Sequence, residues 1–183
     1  MKAGIVGAGI MGRLLAFALY HAGWQVSIFE QQDENNCSMA AAGLLTPVAE
    51  LAKAELIIFQ MGMEAIQQHW PSILQQLPEE VTFQQTGSLV VAHPHDVAEL
   101  QQFIHIITDK LKDQTQYQLL DAVAIKTIEP ALEKFSKGYF FPKEGYLDNQ
   151  ALLSVLARYL ENKIATLERE RINDMKDSQK SAE

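Results

Sequence analysis

The stretch GAGIMG at residues 7–12 constrains the start of this chain more than any other feature. It follows apolar residues at 3–6 and leads into residues 11–23, where apolar side chains recur with helical spacing. Residues 25–30, QVSIFE, are again apolar and rich in strand-forming side chains. This order predicts a strand–helix–strand unit of about 30 residues, in which one helix joins two parallel strands.

Each glycine of this G-x-G-x-x-G pattern has its own physical reason. Gly7 permits a tight turn, Gly9 lets the backbone approach a pyrophosphate, and Gly12 lets the helix pack close to the strand. Ile10 and Met11 lie between them, where the free N–H groups of the first helical turn can hold an anion. The turn therefore predicts a site for the pyrophosphate of a dinucleotide.

Glu30 closes the second strand, about 20 residues beyond the glycines, where such folds place an acidic residue. Its carboxylate suits the hydroxyl groups of a ribose and would repel a 2′-phosphate, which argues against NADP. Gln31 follows it in the same predicted ribose site. A glycine-rich turn that binds nothing is the alternative, but the strand, the helix and Glu30 together favour dinucleotide binding.

The stretch CSMAAAGLLTPVAE at 37–50 comes soon after this acidic strand end. It resembles the S/T-x-A-A-A-G-[ML]-L-x-P segment of the D-amino-acid oxidase family of flavoproteins, and it is most similar to the glycine oxidase branch. Residues 86–92, TGSLVVA, resemble the G-x-L strand of that family. Residues 128–156 resemble its E-P-x-L and P-x-[DE]-G-x-[VL]-D-P stretch, with Asn149 where proline is usual. The resemblance covers residues 1–163.

The resemblance implies FAD rather than NAD, and the small side chains of this segment agree with it. Ser38 can cap a helix start and donate to a phosphate. Ala42 and Gly43 leave room for the flat isoalloxazine ring, and Leu44 would then form an apolar wall beside it. Taken alone, the segment could equally be a small-residue helix packed on the sheet. An NAD-dependent dehydrogenase is the less favoured option.

The resemblance implies an α/β fold, with part of a Rossmann-type FAD-binding domain and the start of an α+β substrate domain. The expected divisions are a FAD-binding portion at 1–80, part of a substrate domain at 81–148, a helix and a strand returning to the first sheet at 149–172, and a disordered tail at 173–183. Asn149 is expected to cap that helix.

Hydropathy and turn residues predict the elements between these landmarks. They are helices at 51–77 (broken or kinked at Pro71), at 94–111 and from 121 to Pro130, strands on either side of a turn within 81–92, and a hairpin at 138–148 that turns at 142–145.

For a complete enzyme, the resemblance implies oxidation of a small amine or amino acid such as glycine, with hydride transfer to flavin and O₂ as acceptor. Within the family it also implies thiamine biosynthesis. The family's substrate-gripping arginine and a late FAD motif lie in a C-terminal half beyond the matched part, so no catalytic residue is assigned. The alternative is a non-catalytic fragment, or one subunit of a split flavoprotein completed by a second chain or a homo-oligomer.

Charge and cysteine content disfavour several other classes of protein. The net charge of -8 and pI of about 5.1 repel phosphate backbones, which disfavours nucleic-acid binding. No apolar run approaches the roughly 18 residues of a membrane-spanning helix. The single cysteine, Cys37, excludes an internal disulfide and fits a reducing cytoplasm. No Cys–His cluster predicts a metal site.

Two arginines and two histidines are weaker candidates for a functional role. Arg13 and Arg158 could pair with a substrate carboxylate, but both lie on predicted helices among other charges and are expected to be solvated surface residues. His93 and His95 flank a proline without a third ligand in view, which favours a loop or helix start over a metal site.

Overall fold

The computed structural model describes residues 1–30, 37–112 and 116–164, and the backbone of a strand at 166–168. Gln31 and the expected tail at 173–183 lie outside these described residues. The chain forms two compact units, unit 1 (Met1–Gly43, Leu74–Thr82, Asp148–Glu183) and unit 2 (Leu44–Ile73, Phe83–Leu147). Residues 44–73 thus group with 83–147, whereas the sequence-based boundary lies at residue 80.

The structure contains both strands and helices throughout the chain. The strands are β1 (Lys2–Val6), β2 (Gln25–Phe29), β3 (Leu44–Leu45), β4 (Phe83–Gln84), β5 (Ser88–Val91), β6 (Gln118–Asp121), β7 (Lys137–Phe141), β8 (Gly145–Leu147) and β9 (Thr166–Glu168). The α-helices are α1 (Ile10–His21), α2 (Cys37–Ala40), α3 (Pro47–Glu50), α4 (Leu56–Glu64), α5 (Trp70–Gln76), α6 (Val97–Leu111), α7 (Ala122–Ile128) and α8 (Asn149–Glu161). A π-helical turn lies at Ala65–His69, and 3₁₀ turns lie at Pro94–Asp96 and Pro130–Leu132.

Unit 1 is built on a parallel sheet with strand order β1-β2-β9. The predicted strand–helix–strand unit is confirmed, as is the later strand that returns to this sheet. Alternate β2 side chains, Val26 and Ile28, are buried, and α1 buries Ala16 and Phe17. Helix α1 packs on α8, which contributes five further buried aliphatic residues. This core holds the glycine-rich turn at the carboxyl end of β1.

The start of α8 differs from the prediction that Asn149 caps it. Asp148 is the N-cap, and its Oδ1 accepts the N–H of Ala151 at 2.9 Å. Asn149 is the first helical residue, and its Nδ2 donates to the carbonyl of Ser38 at 2.5 Å. Aspartate and asparagine are both good N-cap residues, so the sequence alone does not show which of the two adjacent residues caps the helix.

Replacing Asp148 by alanine should lower the free energy of unfolding by about 1 kcal/mol, because the N–H of Ala151 loses its acceptor. Urea denaturation followed by circular dichroism measures this change. Ser154→Ala, on the exposed face of the same helix, is the control and should stay within about 0.5 kcal/mol of the original chain. Equal stability of the two variants would contradict the cap.

Unit 2 contains two antiparallel sheets, with strand orders β3-β8-β4 and β5-β7-β6. Helix α6 covers the second sheet with Leu100, Ile104 and Ile107, which form one buried cluster with Tyr139 and Phe141 of β7. A smaller cluster joins α7 and its neighbouring strands around buried Ile125.

The predicted hairpin at 138–148 is wrong. Strands β7 and β8 both form, but β7 pairs with β5 and β6, whereas β8 pairs with β3 and β4. The strands within 81–92 likewise join different sheets, β4 beside β8 and β5 beside β7. Turn residues at 142–145 show that the chain turns, but they do not show which strands pair afterwards. The buried side chain of Glu144 occupies the turn between the two sheets.

The predicted helix at 51–77 is interrupted earlier than its sequence suggests. Helix α4 begins at Leu56, and a π-helical turn at Ala65–His69 separates it from α5. Pro71 lies in the first turn of α5. Because proline has no N–H, it cannot donate to the carbonyl four residues earlier, and the π-helical turn absorbs the irregularity.

Candidate functional site

The glycine-rich turn joins β1 to α1 through close backbone contacts. Gly7 has a φ of +96°, which favours glycine, and its N–H donates to the carbonyl of Phe29 at 2.8 Å. A Cβ on Gly12 would lie 1.9 Å from the carbonyl oxygen of Gly7, so no side chain fits there without separating the helix from the turn. These two glycines therefore fix the start of α1 against the end of β1.

Gly9 is the N-cap of α1 and has an extended backbone. The N–H groups of the first helical turn have no acceptor within a helix, so an anion at this end can bind those that no other side chain accepts. A Cβ on Gly9 would lie 3.1 Å from the Oγ of Ser38, in the space at the front of the helix. The Met11 side chain is 77% exposed, and that of Ile10 is half-buried.

Ser38 lies next to the glycine-rich turn although it is 28 residues away in sequence. Its Oγ accepts the N–H of Ile10 at 3.0 Å, so the helix start that this serine caps is that of α1. Two side chains of α8 hold the backbone around it. Asn149 donates to the Ser38 carbonyl, and Nε2 of Gln150 donates to the Met39 carbonyl at 3.2 Å.

Glu30 follows β2 and is half-buried. Its Oε1 lies 3.8 Å from Nη2 of Arg13, and Nη1 of Arg13 donates to the carbonyl of Leu153 at 2.5 Å. Both carboxylate and guanidinium line a cavity of about 100 Å³ at the carboxyl end of the sheet. In the predicted ribose site, the Glu30 carboxylate would thus have the Arg13 guanidinium beside it.

The prediction that Arg13 is a solvated surface residue is wrong. Only 15% of its side chain is exposed, because it contacts Glu30, just after β2, and the carbonyl of Leu153 in α8. Arg158 does lie on the surface, where it makes a two-bond pair with Glu79. That pair lowers the pKa of Glu79, chiefly through the hydrogen bonds from Arg158. The 140-residue separation of Arg13 and Leu153 leaves no local sequence signal.

The small-residue segment lies open to solvent. Its alanines at 40, 41 and 42 are exposed, and Gly43 has a φ of +71°, where a side chain would be strained. Leu44 begins β3 and is 65% exposed, which is high for a large apolar side chain. The segment therefore offers an apolar surface with short side chains.

The remaining candidates carry no comparable arrangement. The rings of His93 and His95 stack at 5.7 Å, and Nε2 of His95 lies 3.3 Å from Oδ2 of Asp96. Cys37 is exposed at the start of α2. Over the described ranges, no group of three or more His, Cys, Asp or Glu side chains is placed to hold a metal ion. Within those ranges, no helix is both long and apolar enough to cross a bilayer.

These residues fit the FAD that the sequence implies. Gly9, the N-cap of α1, has no side chain at the position where a Cβ would lie 3.1 Å from Ser38 Oγ. Ser38 supplies a hydroxyl at the same point, and Glu30 a carboxylate at the end of the neighbouring strand. The exposed alanines and Leu44 add an apolar surface further along the chain.

Known proteins resemble this chain over most of its length. Residues 2–182 match the family model described as DAO, FAD dependent oxidoreductase. A Rhizobium etli protein that carries the name thiamine biosynthesis oxidoreductase ThiO is 32% identical over 165 residues, which are 88% of this chain and 46% of that protein.

Two solved structures show the same fold. Iminodiacetate oxidase from Chelativorans superposes with a TM-score of 0.76 at 26% identity, covering 95% of this chain and 49% of the other. Glycine oxidase from Geobacillus kaustophilus superposes with a TM-score of 0.78 at 20% identity, covering 93% and 47%. The chain thus spans about half the length of the relatives it matches. With its glycine-rich turn and its match over residues 2–182, the chain belongs to the DAO family of FAD-dependent oxidoreductases.

Proposed function

We propose that this chain binds FAD and forms the cofactor-binding part of an oxidoreductase of the glycine oxidase type. The observation that carries the proposal is the absence of a side chain at Gly9, the N-cap of α1, where a Cβ would lie 3.1 Å from the hydroxyl oxygen of Ser38. A pyrophosphate there would accept hydrogen bonds from the first turn of a twelve-residue helix and meet the positive end of its dipole. Met11 supplies a backbone amide in that turn, whereas the Ile10 N–H already donates to Ser38 Oγ, so Ile10 would lie beside the pyrophosphate without donating to it.

The two ends of the cofactor would lie against different residues. The Glu30 carboxylate would accept hydrogen bonds from the ribose hydroxyls, with Gln31 next to it in sequence. Ala42 and Gly43 would lie against the isoalloxazine ring, and Leu44 would form its apolar wall. Their exposure supports this assignment, since a segment packed under other side chains would leave no surface for a ring.

The substrate that we propose is a small amine or amino acid, such as glycine. When bound, FAD supplies an acceptor for hydride, and O₂ then takes both electrons to give peroxide. Loss of a hydride and a proton converts the amine to an imine, which water hydrolyses to an oxoacid and ammonia. The contribution of this chain is to hold and orient the cofactor. We place this reaction in the cytoplasm and, by family, in thiamine biosynthesis.

A second candidate function is that of one subunit of a split flavoprotein. Helix α1 exposes Met11 and Leu15, together with Ala18 one turn further on, so an apolar stripe runs along it. Strand β1 lies at the edge of its parallel sheet, and such sheets are normally covered on both faces. A polypeptide that carries the rest of the family fold would cover both features.

Titration of the purified protein with FAD, followed by quenching of flavin fluorescence, tests the proposal. We expect saturable binding of FAD and none of NAD at the same concentration. Peroxide release with glycine or sarcosine, with and without added polypeptide carrying the other half of the family fold, separates a self-sufficient enzyme from a subunit. Binding of NAD without binding of FAD would contradict the proposal and favour a dehydrogenase.

A further inference from the structure

Glu144 is the buried charged residue of unit 2, with 0% of its surface exposed among the described residues. It lies in the turn between β7 and β8. Burial raises the pKa of its carboxyl, whereas hydrogen bonds from Ser88, Ala49 and Val48 act in the opposite direction. Burying an ionisable group is unfavourable unless its partners compensate, so the contacts of this side chain indicate why it is there.

The Glu144 carboxylate joins segments that are distant in sequence. Its Oε1 accepts the N–H of Val48 at 2.7 Å and the N–H of Ala49 at 2.8 Å, while the Oγ of Ser88 donates to Oε2. The main-chain carbonyl of Glu144 also accepts the N–H of Gly87 at 2.9 Å. One residue therefore binds the start of α3 and the segment that leads into β5.

The first turn of α3 depends on this carboxylate. Thr46 is its N-cap, a position where a threonine hydroxyl often accepts a helical N–H, but its side chain makes no such bond. Pro47 follows it, so the next two amides, those of Val48 and Ala49, need an outside acceptor. Glu144 is that acceptor, from about 95 residues further along the chain.

The two residues that follow Glu144 pair with the other end of the segment 44–49. Gly145 pairs with Leu45, and Tyr146 pairs with Leu44, in the antiparallel ladder of β3 and β8. A Cβ on Gly145 would lie 2.0 Å from the main-chain oxygen of Gln84, so β8 is pressed against β4. Residues 144–146 thus contact both the strand that begins at Leu44 and the turn that follows it.

We propose that Glu144 is a positioning residue for the flavin, because its carboxylate fixes the 48–49 end of the segment whose other end pairs with β8, and so helps to set the position of Leu44. The inference rests on the proposed function, in which Leu44 forms the apolar wall of the isoalloxazine ring. Glu144 itself is fully buried and acts only through the backbone that it holds. An apolar residue of similar size could fill the same space, but it would leave the Val48 and Ala49 amides without an acceptor.

Three variants and one control test this role. Glu144→Leu removes all three hydrogen bonds of the side chain, whereas Glu144→Gln keeps an oxygen for the Val48 and Ala49 amides. Ser88→Ala removes the single hydroxyl partner and is the milder variant if Glu144→Leu does not fold. Ile107→Val, in the fully buried part of α6, is the control for a general loss of stability in the same unit. FAD affinity, the visible absorption spectrum of bound flavin and the melting temperature are measured for each.

We expect Glu144→Leu to weaken FAD binding about tenfold and to shift the visible flavin spectrum. Glu144→Gln should restore both to within about threefold of the original chain. Ile107→Val should lower the melting temperature and leave both unchanged. If Glu144→Leu does not fold, Ser88→Ala should weaken FAD binding about threefold and shift the flavin spectrum in the same way.

The inference is overturned if FAD affinity falls only in proportion to the melting temperature across all variants, or if the flavin spectrum never changes. Hydrogen exchange in FAD-free protein separates this failure from that of the proposed function. The Val48 and Ala49 amides should exchange faster in Glu144→Leu than in Glu144→Gln and Ile107→Val, with Ser88→Ala taking the place of Glu144→Leu if that variant does not fold. Equal exchange contradicts the inference. An original chain that does not bind FAD contradicts the proposed function itself, and the flavin role of Glu144 with it.

Discussion

Valine in place of Gly9 is expected to reduce FAD affinity about 100-fold, or ~2.8 kcal/mol, while the strand–helix–strand unit stays folded. A Cβ at this position already lies 3.1 Å from Ser38 Oγ, and the two methyl groups of valine would extend into the space in front of the α1 amides. Fluorescence titration measures the affinity, and circular dichroism checks the fold.

Gly23→Asn is the matched control for this experiment. Gly23 also belongs to unit 1, and with a φ of +78° it would strain most side chains, although asparagine tolerates this region well. A Cβ there would meet nothing within 4 Å. The control should bind FAD like the original chain. If Gly9→Val also binds FAD normally, the pyrophosphate does not lie at this turn.

The second large effect is expected from Gly12→Ala, which should lower the free energy of unfolding by about 3 kcal/mol or more. Its Cβ would lie 1.9 Å from the Gly7 carbonyl oxygen and 3.0 Å from the carbonyl carbon, so α1 must move away from the turn. Because the obstacle is backbone, a change of side-chain rotamer cannot relieve the overlap. Chemical denaturation measures the loss.

Gly4→Ala provides the comparison for that measurement. A Cβ on Gly4 would lie 3.3 Å from the edge of the Phe29 ring, a side chain that can shift by a few tenths of an ångström. We expect this variant to lose much less stability than Gly12→Ala. A loss at Gly12 no larger than at Gly4 would show that α1 does not pack on the turn at the distance described.

The cofactor turn could be predicted because its determinants are adjacent in sequence. Gly7, Gly9 and Gly12 act within one turn of backbone, and the flanking apolar runs show a strand before them and a helix after. Ser38 was also predicted, since its small neighbours stand out in composition. Its hydroxyl oxygen accepts the N–H of Ile10, which lies 28 residues earlier in the chain, and only the structure shows this contact.

Other features depend on pairings that no local pattern encodes. The strand at 137–141 and the strand at 145–147 were both foreseen, but their separation into two sheets follows from partners elsewhere in the chain. The sequence predicts that Arg13 is a surface residue, because its partners, Glu30 and the Leu153 carbonyl, are remote in sequence and leave no local pattern. Glu144 carried no signal beyond its place in a family-like motif, and its amide partners lie about 95 residues earlier.

The two hydrogen bonds from side-chain amides of α8 to carbonyls of α2 can form only after the later part of the chain has been synthesised. Asn149 and Gln150 each hold a carbonyl 111 residues earlier, so Ser38 and Met39 gain these bonds only after the later residues have been made. At translation rates of roughly 5–20 residues per second, the delay is about 6–22 seconds. A nascent chain on the ribosome therefore carries its glycine-rich turn well before the serine beside it is held in place.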